Sequence, residues 1–263
     1  MFIHFIGLSC FLIENAQGYR ILVDPFSNDP QYSLGPQFPD EFNGKAFGAN
    51  IVLSSEPDAD HSYAPGSWLY HAPPTQTHSN PFPDLNLRGT VIYEWAGDVN
   101  IAWHYTVDGV RLAHFADNAH VLTHEQCKEI GHPDVVFLPL PKSDSLAPGV
   151  LDKTKKNIKL LNPKIVICAH HTVPPGTPFS APVETIRAFF QNYYKKLEGK
   201  NIFYKNEESL MPLVYVLENA INLTKEYPSL ILDTPTLEVT PSLLKRKNGD
   251  PLVVLFRTMI AKG

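Results

Sequence analysis

Short apolar runs separated by turn residues dominate the first half of the chain. Met1 to Ile6, Cys10 to Glu14 and Tyr19 to Val23 each have the length of a strand, and Asn15-Ala16-Gln17-Gly18 fits the hairpin turn between the last two. Asp24-Pro25 ends the third run. A loop rich in Pro, Gly and Asn follows from about 26 to 48, and Asn50–Leu53 reads as a buried strand. Prolines at 65, 73, 74, 81 and 83 keep regular structure out of the next stretch. Strands resume over Thr90–Trp95, Val99–Val107 and Val110–Phe115, and Asp108-Gly109 is a strong hairpin signal.

The second half alternates helices and strands. Thr123 and Gln126 have the spacing of a capping box, with Gly131 closing the short helix that follows. Val135–Leu138 and Ile165–Ala169 are continuous apolar runs, as strands buried on both faces require. Between them, Leu151, Ile158 and Leu161 recur at helical spacing with lysines opposite, and Pro163 stops that helix. Pro182–Leu197 is amphipathic, with Val183, Ile186, Phe189, Phe190, Tyr193 and Leu197 on one face and Gly199 as its C-cap. In the tail, Pro212–Leu217 and Leu252–Phe256 read as short strands among helical pieces. A β-rich half followed by helix–strand alternation predicts one α/β domain over 1–263, without a linker or an internal repeat.

Composition narrows the classes. The chain has 263 residues, is 43% hydrophobic and carries a net charge of -5 with a pI near 6.1. That is enough for a sizeable core. No basic block offers an electrostatic footprint for nucleic acid, and no run approaches the length of a membrane span. Cys10, Cys127 and Cys168 form no framework, which fits a reducing, cytoplasmic setting. The apolar N-terminus lacks a basic leader region and reads as a core strand. The expected partner is a small-molecule substrate, with no nucleic acid and no membrane.

Three hydrophobic strands end in polar groups of metal-ligand type. Glu56, Asp58, Asp60 and His61 follow the strand 50–53, Asp117 follows 110–115, and His170 follows 165–169. In layered α/β folds ligands bind beyond the carboxyl ends of strands. Taken singly, Asp60-His61 is equally a turn with a surface imidazole, Asp117-Asn118 an ordinary turn pair, and His170 a satisfied core histidine. Together they are the oxygen and nitrogen donors that a divalent ion needs.

These stretches resemble the metallo-β-lactamase fold superfamily, in its branch of L-ascorbate-6-phosphate lactonase-like metal-dependent hydrolases. IGLSCFLIE (6–14) resembles the opening strand, ILVDPF (21–26) the Asp-Pro signature, and SEPDADHS (55–62) the H-x-H-x-D-H metal motif. The stretch 108–141 resembles the region of the bridging aspartate, and NPKIVICAHHT (162–172) that of the last histidine. The resemblance covers roughly residues 1 to 172. It implies an α/β, four-layer αβ/βα sandwich, with two mixed β-sheets flanked by helices. It also implies Asp60, His61, Asp117 and His170 as metal ligands, with Asp60 or Asp117 orienting a water.

The sequence departs from that pattern where the first metal would bind. Glu56 and Asp58 replace the two histidines of H-x-H, and Leu8 replaces a common histidine. Candidates for a third first-site ligand are His78, Glu94 and His104; His120 and His171 are candidate supporting groups. Zinc follows from the resemblance, whereas carboxylates at 56 and 58 favour a harder ion such as manganese. Two readings follow. One is a metal-dependent hydrolase in which metal-activated water attacks a small-molecule ester, lactone or phosphoester. The other is a non-hydrolytic member of the fold that has lost its first metal site and binds a ligand or partner.

Overall fold

Two mixed β-sheets share one apolar core. The computed structural model describes residues 1–27, 48–58, 60–62, 69–70, 83–94, 97–140, 149–171, 173–174, 176–196, 207–245 and 249–260. The first sheet runs in the order β12 (Thr236–Glu238), β1 (Phe2–Gly7), β2 (Cys10–Glu14), β3 (Arg20–Val23), β4 (Ile51–Leu53) and β5 (Leu69–Tyr70). The order in the second is β11 (Ser229–Leu232), β13 (Leu252–Phe256), β10 (Ile165–Ala169), β9 (Val135–Pro139), β8 (Val110–His114), β7 (Val99–Val107) and β6 (Arg88–Tyr93). Pairing is antiparallel through β12–β1–β2–β3 and through β6–β7–β8, and parallel elsewhere.

The period-two alternation of strand side chains explains the core. Ile3, Phe5, Phe11, Ile13, Ile21, Val23, Ile51 and Leu53 of the first sheet cluster with Trp103, Leu112, Phe137, Ile167 and Phe256 of the second. The alternate residues of the parallel strands, among them Val136, Leu138, Val166, Cys168 and Leu255, belong to a second cluster. That cluster takes in apolar residues of α2 (Val150–Leu161), α3 (Val183–Lys195) and α4 (Glu207–Glu226). The capping box at Thr123 and Gln126 starts α1 (His124–Ile130), and Gly131 closes it at φ 74°. Asp108 and Gly109 turn β7 into β8 at positive φ, as an Asp-Gly hairpin requires.

One element differs from the sequence reading. The stretch 212–217, expected as a strand, lies inside the 20-residue helix α4. PLVYVL is apolar at nearly every position, so its own periodicity cannot separate a buried strand from a buried helix. The helix announces itself further on, where Leu217, Ala220 and Leu223 are buried three residues apart. Leu197 and Gly199, the expected end of α3, lie outside the described residues. The topology brings the carboxyl ends of β3, β4, β8, β9 and β10 to one edge, because each is parallel to its neighbours across the β3–β4 and β8–β9–β10 pairs.

Candidate metal centre

Sharp turns at those strand ends aim side chains into the crevice. Asp24, one residue past β3, has φ 48°; Ala116, two past β8, has φ 42°; His170, one past β10, has φ 62°. Each such left-handed, non-glycine residue costs on the order of 1–3 kcal/mol and persists only where its surroundings impose it. The hydrogen bonds that impose it are visible. His170 N–H donates to Leu8 O at 3.0 Å, and Leu8 N–H donates to His171 O at 2.8 Å. Asp24 N–H donates to Leu53 O at 2.9 Å, tying β3's end to that of β4. The loop after β4 is fastened to β7, where Ile101 N–H donates to Ser55 O and Trp103 Nε1 donates to Ser54 O.

Four of the predicted ligands and Glu56 converge. His61 Nε2 lies 3.1 Å from Glu56 Oε1, 3.5 Å from Asp117 Oδ1 and 3.6 Å from Asp60 Oδ2. His170 Nε2 lies 2.9 Å from Asp117 Oδ1 and 4.0 Å from Asp60 Oδ2. Both imidazoles are buried, and neither Nε2 has a hydrogen-bond partner among the described residues. Bringing carboxylate oxygens against unpartnered ring nitrogens in a buried site is costly unless a cation or proton lies between. Donors about 2.1 Å from one ion can be at most about 4.2 Å apart, and every separation given above meets that limit. The residues therefore fit a divalent ion. Two overlapping donor groups result, Asp60–His61–His170 and Glu56–His61–Asp117.

Neighbouring charges and hydrogen bonds bias which ring nitrogens face the cluster. His61 Nδ1 sits 3.0 Å from Asp24 Oδ2 and 3.3 Å from Ser55 Oγ. A carboxylate has no proton to give, so in the neutral ring this neighbourhood favours the proton on Nδ1 and leaves Nε2 to face an ion. Asp24 is itself held, since its Oδ1 accepts from Ser55 N–H at 2.8 Å. The buried His114 is set the other way. Its Nε2 donates to Ser9 O at 2.9 Å, while its Nδ1 accepts from Ala116 N–H at 3.2 Å. It is thus neutral and structural, and burial holds its pKa below the ordinary value. For His61, burial pulls the pKa down, but Asp60, Asp24, Glu56 and Asp117 together raise it well above the ordinary value. Burial pushes the Glu56 carboxyl up to about 9; His61 opposes this, and Asp117, Asp60 and Glu94 reinforce it.

The remaining candidates lie elsewhere. Asp58 is exposed and joins neither donor group; its contribution is a backbone carbonyl that accepts from His61 N–H at 2.9 Å. His104 faces Thr90 Oγ1 at 3.1 Å on the β6–β7 pair. Glu94 is near enough to Glu56 to raise its pKa, and its backbone carbonyl faces His120 Nε2 at 3.0 Å. His171 faces Phe256 O through Nε2 and stacks on Phe5 at 4.5 Å. His78 lies outside the described residues. A cavity of about 470 Å³ beyond β10 and β13, lined by Gly176, Phe179, Asp233 and Arg257, contains none of the donors. Sequence reasoning missed Asp24 as the residue orienting His61, although it sits in the quoted ILVDPF stretch. It also missed Asn100, a buried polar residue inside β7 with no sequence signal to single it out.

An α/β fold of two mixed sheets, with histidines and carboxylates gathered at one edge, defines a protein with a candidate divalent-metal centre. The profile described as beta-lactamase superfamily domain matches residues 2–170, and the chain belongs to that superfamily, whose members are mostly metal-dependent hydrolases. A similar solved structure is a Thermotoga maritima protein assigned as a Zn-dependent hydrolase of the metallo-β-lactamase superfamily. The two are 21% identical, with a TM-score of 0.54, over 97% of this chain and 99% of that one. Igni18, a metallo hydrolase of Ignicoccus hospitalis, is 17% identical with a TM-score of 0.44, over 73% and 91% of the two chains. An isothiocyanate hydrolase from Delia radicum gut bacteria is 12% identical with a TM-score of 0.44, over 76% and 95%. No curated protein matches the chain.

Proposed function

We propose that the protein is a metal-dependent hydrolase of small-molecule esters, lactones or phosphoesters, in the lactonase-like branch that its sequence resembles. The observation that carries this is the pair of buried, unpartnered Nε2 atoms of His61 and His170 set against carboxylate oxygens of Glu56, Asp60 and Asp117. Asp60, His61, Asp117 and His170 would hold the ion, with Glu56 beside them. When bound, a divalent ion lowers the pKa of a water ligand and polarises an acyl or phosphoryl oxygen. The protein's own part is positioning. Asp24 keeps the His61 proton on Nδ1, and the Leu8–His170 hydrogen bond fixes the His170 backbone. Asp117 and Asp60 supply carboxylate oxygens that can accept a proton from the attacking water and orient it.

Zinc is the expected ion by resemblance, and manganese or another harder ion follows from three carboxylates among five donors. The family assignment and the Zn-dependent description of the Thermotoga neighbour agree with this reading. The test is turnover of a panel of lactones, carboxylic esters and phosphodiesters by chain reconstituted with Zn²⁺ or Mn²⁺. Metal-dependent hydrolysis of one class, abolished by Asp117→Asn, is the expected result. The exposure of Asp58, where the family has a ligand histidine, favours the non-hydrolytic alternative. A metal-loaded chain that turns over none of the three classes would overturn the hydrolase reading as proposed and favour this alternative.

A further inference from the structure

Glu56 departs from the resemblance, yet it is among the most firmly held side chains of the centre. It is buried at 6% exposure, and Asn100 Nδ2 donates to its Oε2 at 3.1 Å. Asn100 is itself fully buried in β7 of the opposite sheet, and its Oδ1 accepts from Ile101 N–H at 2.8 Å. That second bond fixes which way the amide faces. With its oxygen committed to a backbone donor, only the NH₂ group is left for Glu56. The Glu56 carboxylate is therefore engaged on one oxygen, and the other, Oε1, points at His61 Nε2 from 3.1 Å. The backbone repeats the link beside it, where Ile101 N–H donates to Ser55 O at 2.9 Å. A carboxylate with one oxygen held by an amide donor and the other facing a ligand imidazole is oriented as metal-ligating carboxylates are, through outer partners that fix ring and carboxylate alike.

We infer that Asn100 is a positioning residue that presents Glu56 Oε1 as an additional ligand to the ion held by His61 and Asp117, in place of the imidazole that other members of the superfamily carry there. The inference rests on the proposed metal site. It gives this chain a carboxylate-rich centre whose affinity depends on a strand residue that touches neither ion nor substrate. The two sheets are thereby linked through the ligand set itself, from β7 through Asn100 to Glu56.

The experiment is a double-mutant cycle read by metal affinity. Kd values for Zn²⁺ and Mn²⁺ are measured by chelator competition for the wild type, Asn100→Leu, Glu56→Gln and the double variant, with melting of each metal-free chain as a fold control. Each single substitution is expected to weaken both ions about 10- to 100-fold. In the Glu56→Gln background, Asn100→Leu is expected to change Kd by less than about two-fold, because its effect runs through Glu56. If Asn100→Leu does not fold, Asn100→Ala removes the same donor without added bulk and carries the same expectations. Wild-type affinity in the Asn100 variant would overturn the inference, as would an equal loss with and without Glu56, which is what a merely structural asparagine gives. A wild-type chain that binds neither ion would overturn the metal site and the inference together.

Discussion

His61 shows how a single proton decides what a side chain can do. Its Nδ1 is covered by Asp24 and Ser55, so its Nε2 is free to face Glu56, Asp60 and Asp117. Replacing Asp24 by Asn tests this. The new amide keeps its oxygen for Ser55 N–H and turns an NH₂ towards His61 Nδ1, which must then accept, moving the ring proton to Nε2. Asp24→Asn is expected to fold and to lose about 10- to 100-fold in metal affinity, measured by chelator competition; unchanged affinity would count against this role. Asp117→Ala and His170→Ala each remove a proposed ligand, and each is expected to weaken binding at least as much. At this scale the sequence was informative. Asp60, His61, Asp117 and His170 stand at strand ends, where residue type and position can be read together. Asp24 and Asn100 were not legible, because they act through contacts made across the sheets, and nothing local marks an Asp before a proline or a buried Asn as an orienting group.

Strand β7 does more than complete a sheet, since Asn100, Ile101 and Trp103 hold the Ser54–Glu56 loop in place. Trp103 is fully buried and donates to Ser54 O at 3.0 Å. Trp103→Phe keeps an aromatic ring but leaves that carbonyl without its donor, and is expected to cost about 1–3 kcal/mol in denaturant unfolding. The β6–β7 pair also carries a titration. Burial, helped by Arg88, lowers the pKa of His104 to about 4. The unfolded chain then binds the extra proton between about pH 6.5 and 4, so stability is lost as pH falls through that window. Of the loss in the metal-free chain, His104 is expected to account for on the order of 1–3 kcal/mol. His171, whose pKa burial likewise lowers to about 4, adds its own share, so His104→Gln loses less than wild type; equal slopes would rule His104 out as a contributor. Strands were legible as elements because short apolar runs between turn signals have few alternatives. The α4 helix was misread because PLVYVL is apolar on every side, and only packing against α3 and β13 settles its conformation.

At the scale of the molecule, two mixed sheets supply a rigid frame and their parallel strands deliver the donors to one edge. The order of motifs along the sequence carried that architecture, since five stretches in one order are hard to satisfy in another fold. The place of Glu56 followed less directly, because a carboxylate after a strand reads equally as a solvated turn, and its burial beside His61 is what sets it apart from one. No helix among the described residues is long and apolar enough to cross a membrane. An ion that binds only the folded chain must raise its melting temperature by mass action, with about 2.7 kcal/mol gained at one hundred times Kd. The central claim is that these side chains hold a divalent ion. It is tested most directly by elemental mass spectrometry on chain purified without chelator, then reconstituted with Zn²⁺ and Mn²⁺ and desalted. The account predicts about one tightly held ion or more per chain, whereas less than about a tenth of an ion per chain after both reconstitutions would contradict it.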